Sequence, residues 1–123
     1  MDSLQIEGIN KELAKFETVR GILGLAVVDE NGLTILSHLP RSFDERKFGA
    51  IAATIVGAME TATFPFNENL MNLMIEFKDS QIIIMSSKTN IVLVVLMEIE
   101  IDLGFMLLQA EEILNNITNI LKG

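Results

Sequence analysis

Two stretches of this chain, Gln81–Ser86 and Ile91–Met97, are apolar at consecutive positions rather than at every second one. A strand with one face in water alternates; a strand that is apolar throughout needs cover on both faces. The chain must therefore supply helices to two sides of one sheet. Asn69–Phe77 reads as a third strand of this C-terminal group, joined to the others by Lys78-Asp79-Ser80 and Ser87-Lys88-Thr89-Asn90. Such short connections make neighbouring strands antiparallel.

The remaining elements follow from spacing and punctuation. Ile6, Ile9, Leu13 and Phe16 recur at three and four residues, which predicts a helix over Ser3–Glu17 with Glu7, Lys11 and Lys15 turned outward. Ile22–Val28 is a compact apolar and β-branched run. Asn31-Gly32 marks a hairpin, and Leu33–Ser37 is its return strand. Pro40 breaks the chain, and Ser42 with Glu45 forms a capping box ahead of a helix over about Phe43–Phe64 that Pro65 ends. Asp102 is the N-cap of a final helix, whose apolar positions run from Leu103, Met106, Leu107 and Ala110 through Ile113, Leu114 and Ile117 to Ile120 and Leu121. The order is α-β-β-α-β-β-β-α, an α/β three-layer sandwich on one five-stranded antiparallel sheet, expected to occupy residues 1–123 as a single domain.

The central helix has two apolar sides. At about 100° per residue, Phe48, Ile51, Ile55, Ala58, Met59 and Ala62 form a bulky stripe, the side expected to lie on the chain's own sheet. Gly49, Ala53, Val56, Gly57 and Glu60 form a second side of mostly small residues, with Ala52 at the boundary. Glycine inside a helix costs about 1 kcal/mol relative to alanine, so a packing contact should offset it. A second copy of the helix is the favoured occupant, because small residues at four-residue spacing admit a close backbone. A neighbouring loop of the same subunit is the alternative.

Composition excludes several function classes. The chain has 123 residues, no cysteine, and a net charge of −8. Disulfides and thiolate metal sites are ruled out. Nucleic acid is disfavoured, since binding rests on lysines and arginines that neutralise phosphates, and anionic membrane surfaces are disfavoured for the same reason. Hydrophobic residues make up 50 % of the chain and mean hydropathy is +0.42. Insertion into a membrane needs about 20 consecutive apolar residues, and the Thr89–Met97 run is closed by Glu98, Glu100 and Asp102. The apolar surplus fits a doubly covered sheet and an intersubunit surface better. With no basic apolar leader at Met1–Glu7, the expected location is cytoplasmic.

Few residues can carry catalysis. His38 is the only histidine, Tyr and Trp are absent, and no Gly-x-Ser-x-Gly elbow accompanies it; a partly exposed position beyond a strand end is the expected role. Asp29-Glu30-Asn31-Gly32 lacks the glycine and glutamate spacing of a calcium loop and reads as a polar turn. Glu98, Glu100 and Asp102 share a side of an extended chain, but such charges ordinarily end an apolar strand and cap the next helix. Gly21-x-x-Gly24 has neither the lysine nor the hydroxyl of a phosphate loop, and close packing around a strand explains it. No metal and no cofactor is expected, and the chain is expected not to be an enzyme.

The ordered set Gly21-Ile-Leu-Gly24-Leu-Ala-Val-Val-Asp29, Asn31-Gly32-Leu33, Ser37-His-Leu-Pro40, the Ala- and Gly-rich Phe48–Ala58 and the apolar Ile91–Leu96 resembles the Roadblock domain family, the dynein light chain and small-GTPase regulator group, in its prokaryotic single-domain form. Its architecture is similar to longin and profilin-like domains. The resemblance implies strand order 2-1-5-4-3, with the first and last helices on one face and the central helix on the other. It further implies a homodimer, or a heterodimer with a Roadblock paralogue, formed through central helices and third strands. Carried onto this sequence, that interface comprises Gly49, Ala52, Ala53, Val56, Gly57 and Glu60 on the helix and Leu70, Asn72 and Met74 on the strand. The family commonly scaffolds or regulates Ras-like small GTPases, and Arg46, Lys47, Ala50, Thr54 and Thr61 form the outward ridge where such a partner would dock. The alternative is a structural subunit of a larger complex without GTPase contact.

Overall fold

The computed structural model describes residues 1–87 and 89–123; Lys88, placed above in the loop before the last strand, lies outside them. The elements run α1 (Ser3–Glu17), β1 (Ile22–Val28), β2 (Thr34–His38), α2 (Glu45–Ala62), a 3-10 turn (Phe64–Phe66), β3 (Asn72–Glu76), β4 (Ser80–Ser86), β5 (Val92–Glu98) and α3 (Leu103–Lys122). One antiparallel sheet has the order β2-β1-β5-β4-β3. This is the five-stranded sandwich expected from the chain, with the expected order of strands.

The consecutive apolar runs do what their pattern requires. Alternate residues of β1, β4 and β5 enter two cores. On one face Leu25, Val27, Ile83, Met85, Leu93, Val95 and Met97 meet Ile9, Leu13 and Phe16 of α1 and Met106, Ala110, Ile113, Leu114 and Ile117 of α3. On the other, Ala26, Val28, Ile82, Ile84, Val92, Val94 and Leu96 meet Ala52 and Val56 of α2. α1 and α3 are further tied by Asn116 Nδ2 donating to Glu12 Oε2 at 3.0 Å and Gln5 Nε2 donating to the Ile120 carbonyl at 3.3 Å.

Local chemistry sets the boundaries. Asp102 is extended and accepts from Phe105 N at 3.1 Å, starting α3 as expected. α2 corrects the capping assignment: its N-cap is Asp44, accepting from Lys47 N at 3.2 Å, not Ser42. Aspartate caps as well as serine and adds a negative charge at the positive end of the helix dipole. The same helix stops at Ala62, earlier than expected: Pro65 has no N–H to continue the ladder, and the chain passes into the 3-10 turn over Phe64–Phe66. β3 is shorter than Asn69–Phe77, since β4 offers partners only to Asn72–Glu76.

Candidate interaction surface

The small-residue side of α2 faces inward. Gly49, Ala52 and Val56 are the buried residues of the helix. A Cβ on Gly49 would stand 2.4 Å from Thr34 Oγ1 and 3.2 Å from the Gly32 carbonyl, and one on Gly32, whose φ is +83°, 3.0 Å from Ala50 Cα. The turn between β1 and β2 therefore occupies the space that the glycines open. In the single chain Gly49, Ala52 and Val56, assigned above to the interface, are buried within their own subunit. Ala53 is half-buried beside Gly32. Gly57 and Glu60 are exposed and line a cleft of about 120 Å³ with Glu30, Ser87 and Asn90 at the turn end of the sheet.

The bulky side is corrected in the opposite sense. Phe48, Ile55 and Met59 are half-buried, but Ile51 is 55 % exposed and Ala58 and Ala62 are exposed. The inward arc is centred between the two expected stripes. It leaves Ile51, Ala58 and Ala62 as an apolar flank continuous with Ile55, which packs in the same core as Leu73 and Ile75 of β3.

β3 is an edge strand whose only neighbour is β4. Its burial alternates: Leu73 and Ile75 turn into the α2-side core, while Asn72, Met74 and Glu76 are exposed. Leu70 is half-buried, and its carbonyl accepts from Ser86 Oγ at 3.2 Å. Met71, Met74 and Phe77, in or flanking this strand, are exposed, and so are Phe64 (83 %) and Phe66 (69 %) of the 3-10 turn. The two phenylalanines, in the 3-10 turn, were missed in the sequence; the signal available was an aromatic pair astride a proline with no periodic partner.

The outward ridge is where helical arithmetic placed it. Arg46, Lys47, Ala50, Thr54 and Thr61 are all exposed. Thr54 Oγ1 donates back to the Ala50 carbonyl at 2.8 Å and Thr61 Oγ1 to that of Gly57 at 2.9 Å. Both hydroxyls are thus engaged by the helix, and Arg46 and Lys47 of the ridge stand beside exposed Asp44 and Glu45 at its N-terminus.

The residues weighed for chemistry have structural employment. His38 closes β2 with Nδ1 against Glu17 Oε1 and Nε2 2.7 Å from Asn10 Oδ1, joining the strand to α1. Asp29 Oδ1 accepts from Asn31 N and Leu33 N, at 2.9 and 3.0 Å, and shapes the β1–β2 turn. A Cβ on Gly21 would meet Ile101 at 2.9 Å, and one on Gly24 would meet Pro40 Cδ at 3.0 Å. Among the described residues no group of three or more His, Asp or Glu side chains is placed to hold a metal ion, and no helix is long and apolar enough to cross a membrane. Gln81, buried among apolar neighbours, donates to the carbonyls of Glu98 and Ile99 at 3.2 and 3.3 Å, so β4 is anchored to the loop before α3. A groove of about 700 Å³ runs beside α3 where β3 has no helix above it, between Leu114, Asn115 and Thr118 on one side and Met71, Asn72 and Met85 on the other.

A sheet of this order, covered by one helix on one side and two on the other, defines a small three-layer α/β sandwich. The chain belongs to the Roadblock/LC7 domain family, whose model matches residues 9–97. It is 35 % identical over 97 residues to the uncharacterized protein MJ0310 of Methanocaldococcus jannaschii, an alignment that covers 78 % of this chain and 84 % of that protein. Among solved structures it is similar to Myxococcus xanthus MglB, with a TM-score of 0.91, 22 % identity, and coverage of 99 % of this chain and 93 % of MglB. It is also similar to a Roadblock/LC7 domain from Streptomyces avermitilis, with a TM-score of 0.80, 13 % identity, and coverage of 99 % and 98 %. At these identities the structural likeness carries the fold.

Proposed function

We propose that this chain is a non-catalytic, cytoplasmic regulator or scaffold that acts as a homodimer and docks a Ras-like small GTPase on the outward ridge of α2. Family membership supports the class, since the Roadblock fold is in general regulatory or scaffolding. The observation that carries the docking site is the ridge itself. It is exposed and carries two cations, Arg46 and Lys47, and no acidic side chain of its own, in a chain whose net charge is −8. A folded partner meets less repulsion there than elsewhere. Pairing two copies lengthens the ridge, so one GTPase spans two subunits.

The test is capture of small GTPases from the source organism, in both nucleotide states, by the wild type and by an Ala50→Glu, Thr54→Glu double variant. Both positions are exposed, so the variant should keep its fold and its oligomeric mass while losing the GTPase. Full binding by a correctly assembled variant would move the docking site to the outer helices, near Glu111 and Asn115.

A further inference from the structure

The β1–β2 turn holds one piece of chemistry that a scaffold does not call on, an asparagine followed by a glycine. Asn31 is exposed, and Gly32 has no side chain to screen its backbone nitrogen. We infer that Asn31 is a site of spontaneous deamidation, and that Asp29 is the positioning residue that holds the reaction off while the chain is folded. This chemistry needs neither the dimer nor the GTPase proposed above.

In the reaction the Gly32 nitrogen attacks the side-chain amide carbon of Asn31. A new C–N bond closes a cyclic imide. The bond to the side-chain nitrogen breaks, and that nitrogen leaves as ammonia with the proton from Gly32. Water, the only co-reactant, then opens the imide at either carbonyl. One opening gives aspartate; the other gives isoaspartate, whose main chain runs through the former side-chain carbon and is longer by one methylene.

The folded turn withholds the nucleophile. Gly32 N–H donates to the Asp29 carbonyl at 3.0 Å, and Asp29 N–H donates to the Leu33 carbonyl at 2.9 Å. Asp29 Oδ1 accepts from Asn31 N and Leu33 N at 2.9 and 3.0 Å. Every one of these bonds ends on Asp29, and together they fix the backbone that attack must rotate. Gly32 is buried at φ +83°, and a Cβ on it would stand 3.0 Å from Ala50 Cα in α2. The turn must therefore open locally before the imide can close. The isoaspartyl product does not fit the closed turn. It adds a main-chain carbon where the Gly32 carbonyl already lies 3.2 Å from the Cβ position of Gly49, and a carboxylate beside Asp29 and Glu30. Conversion thus unseats the turn from α2.

The test incubates the full chain at mildly alkaline pH, folded and, in parallel, unfolded in guanidinium chloride. Conversion is read by peptide mass and by isoaspartyl methyltransferase labelling. In the unfolded chain Asn31 should convert fastest of the asparagines, and folding should slow it. Asp29→Ala, shown to be folded by circular dichroism, should convert roughly tenfold faster than the folded wild type, since it loses two hydrogen bonds that each hold the turn closed. Asp29→Asn keeps an acceptor oxygen and should restore the slow rate. Asn31 that is no faster than the other asparagines when unfolded overturns the site. Equal rates in the folded and unfolded wild type overturn the protection, a comparison that stands even if Asp29→Ala fails to fold. A folded Asp29→Ala chain that converts at the wild-type rate overturns the role of Asp29. The isoaspartyl chain should also unfold at lower urea than Asn31→Asp, which carries the charge alone; equal midpoints overturn the unseating.

Discussion

A methyl group at Gly49 and one at Gly57 meet opposite surroundings, although both glycines lie inside α2. The first would sit 2.4 Å from Thr34 Oγ1, which itself donates to the Glu45 carbonyl at 2.9 Å. The second would meet nothing within 4 Å. Gly49→Ala should therefore destabilise the fold by about 1–3 kcal/mol, as overpacking does. Gly57→Ala should stabilise it by about 0.5–1 kcal/mol, the helical advantage of alanine. Urea unfolding of the two variants gives the signs; equal signs would mean that the β1–β2 turn does not press on α2. The sequence displayed both glycines but not which had a neighbour. The Gly32 carbonyl and Thr34 reach Gly49 only because a hairpin folds back over the sheet, and that contact has no local signature. His38 was legible at the end of a strand, yet its bonds to Glu17 and Asn10 cross 21 and 28 residues of chain and were not visible.

Among elements, those with local determinants were legible to within a residue or two. α1, β1 and α3 follow their periodicity, and Asp102 caps where its side chain and the apolar run after it said it would. Asp102→Ala removes the bond to Phe105 N and should cost about 1 kcal/mol, read as a lower urea midpoint with an unchanged slope; a wild-type midpoint would show that the cap bond contributes nothing. α2 is the instructive case. Its sequence has apolar residues around much of its circumference, so periodicity leaves the inward direction undetermined by tens of degrees. The stripe of Ile51, Ala58 and Ala62, read as core, became surface, while Gly49, Ala52 and Val56 became core. Large residues do not choose the inward face when the space beneath a helix is narrow: close approach of the β1–β2 turn admits only small ones.

At the scale of the whole molecule, one edge of the sheet is closed by nothing in the chain. Among the described residues β3 pairs with β4 alone, and Met71, Met74 and Phe77 in and beside it are exposed. If that edge is completed by a second copy, unfolding is coupled to dissociation and the thermal midpoint should rise with protein concentration. A midpoint independent of concentration across two orders of magnitude would mean that the isolated chain is the folding unit.

The sequence by itself determined the sheet with helices on both sides, because strands apolar at every position cannot face water, and it determined the order of elements, because caps, turns and periodicity are local. It also displayed the family in the ordered set from Gly21 to Pro40 and the apolar β5. Only the tertiary structure decided which side of α2 turns inward, that Gly49 there receives the chain's own hairpin, and that Phe64 and Phe66 stand exposed. Those facts depend on distances between segments far apart in the chain, and no local pattern of side chains encodes how closely two backbones will approach.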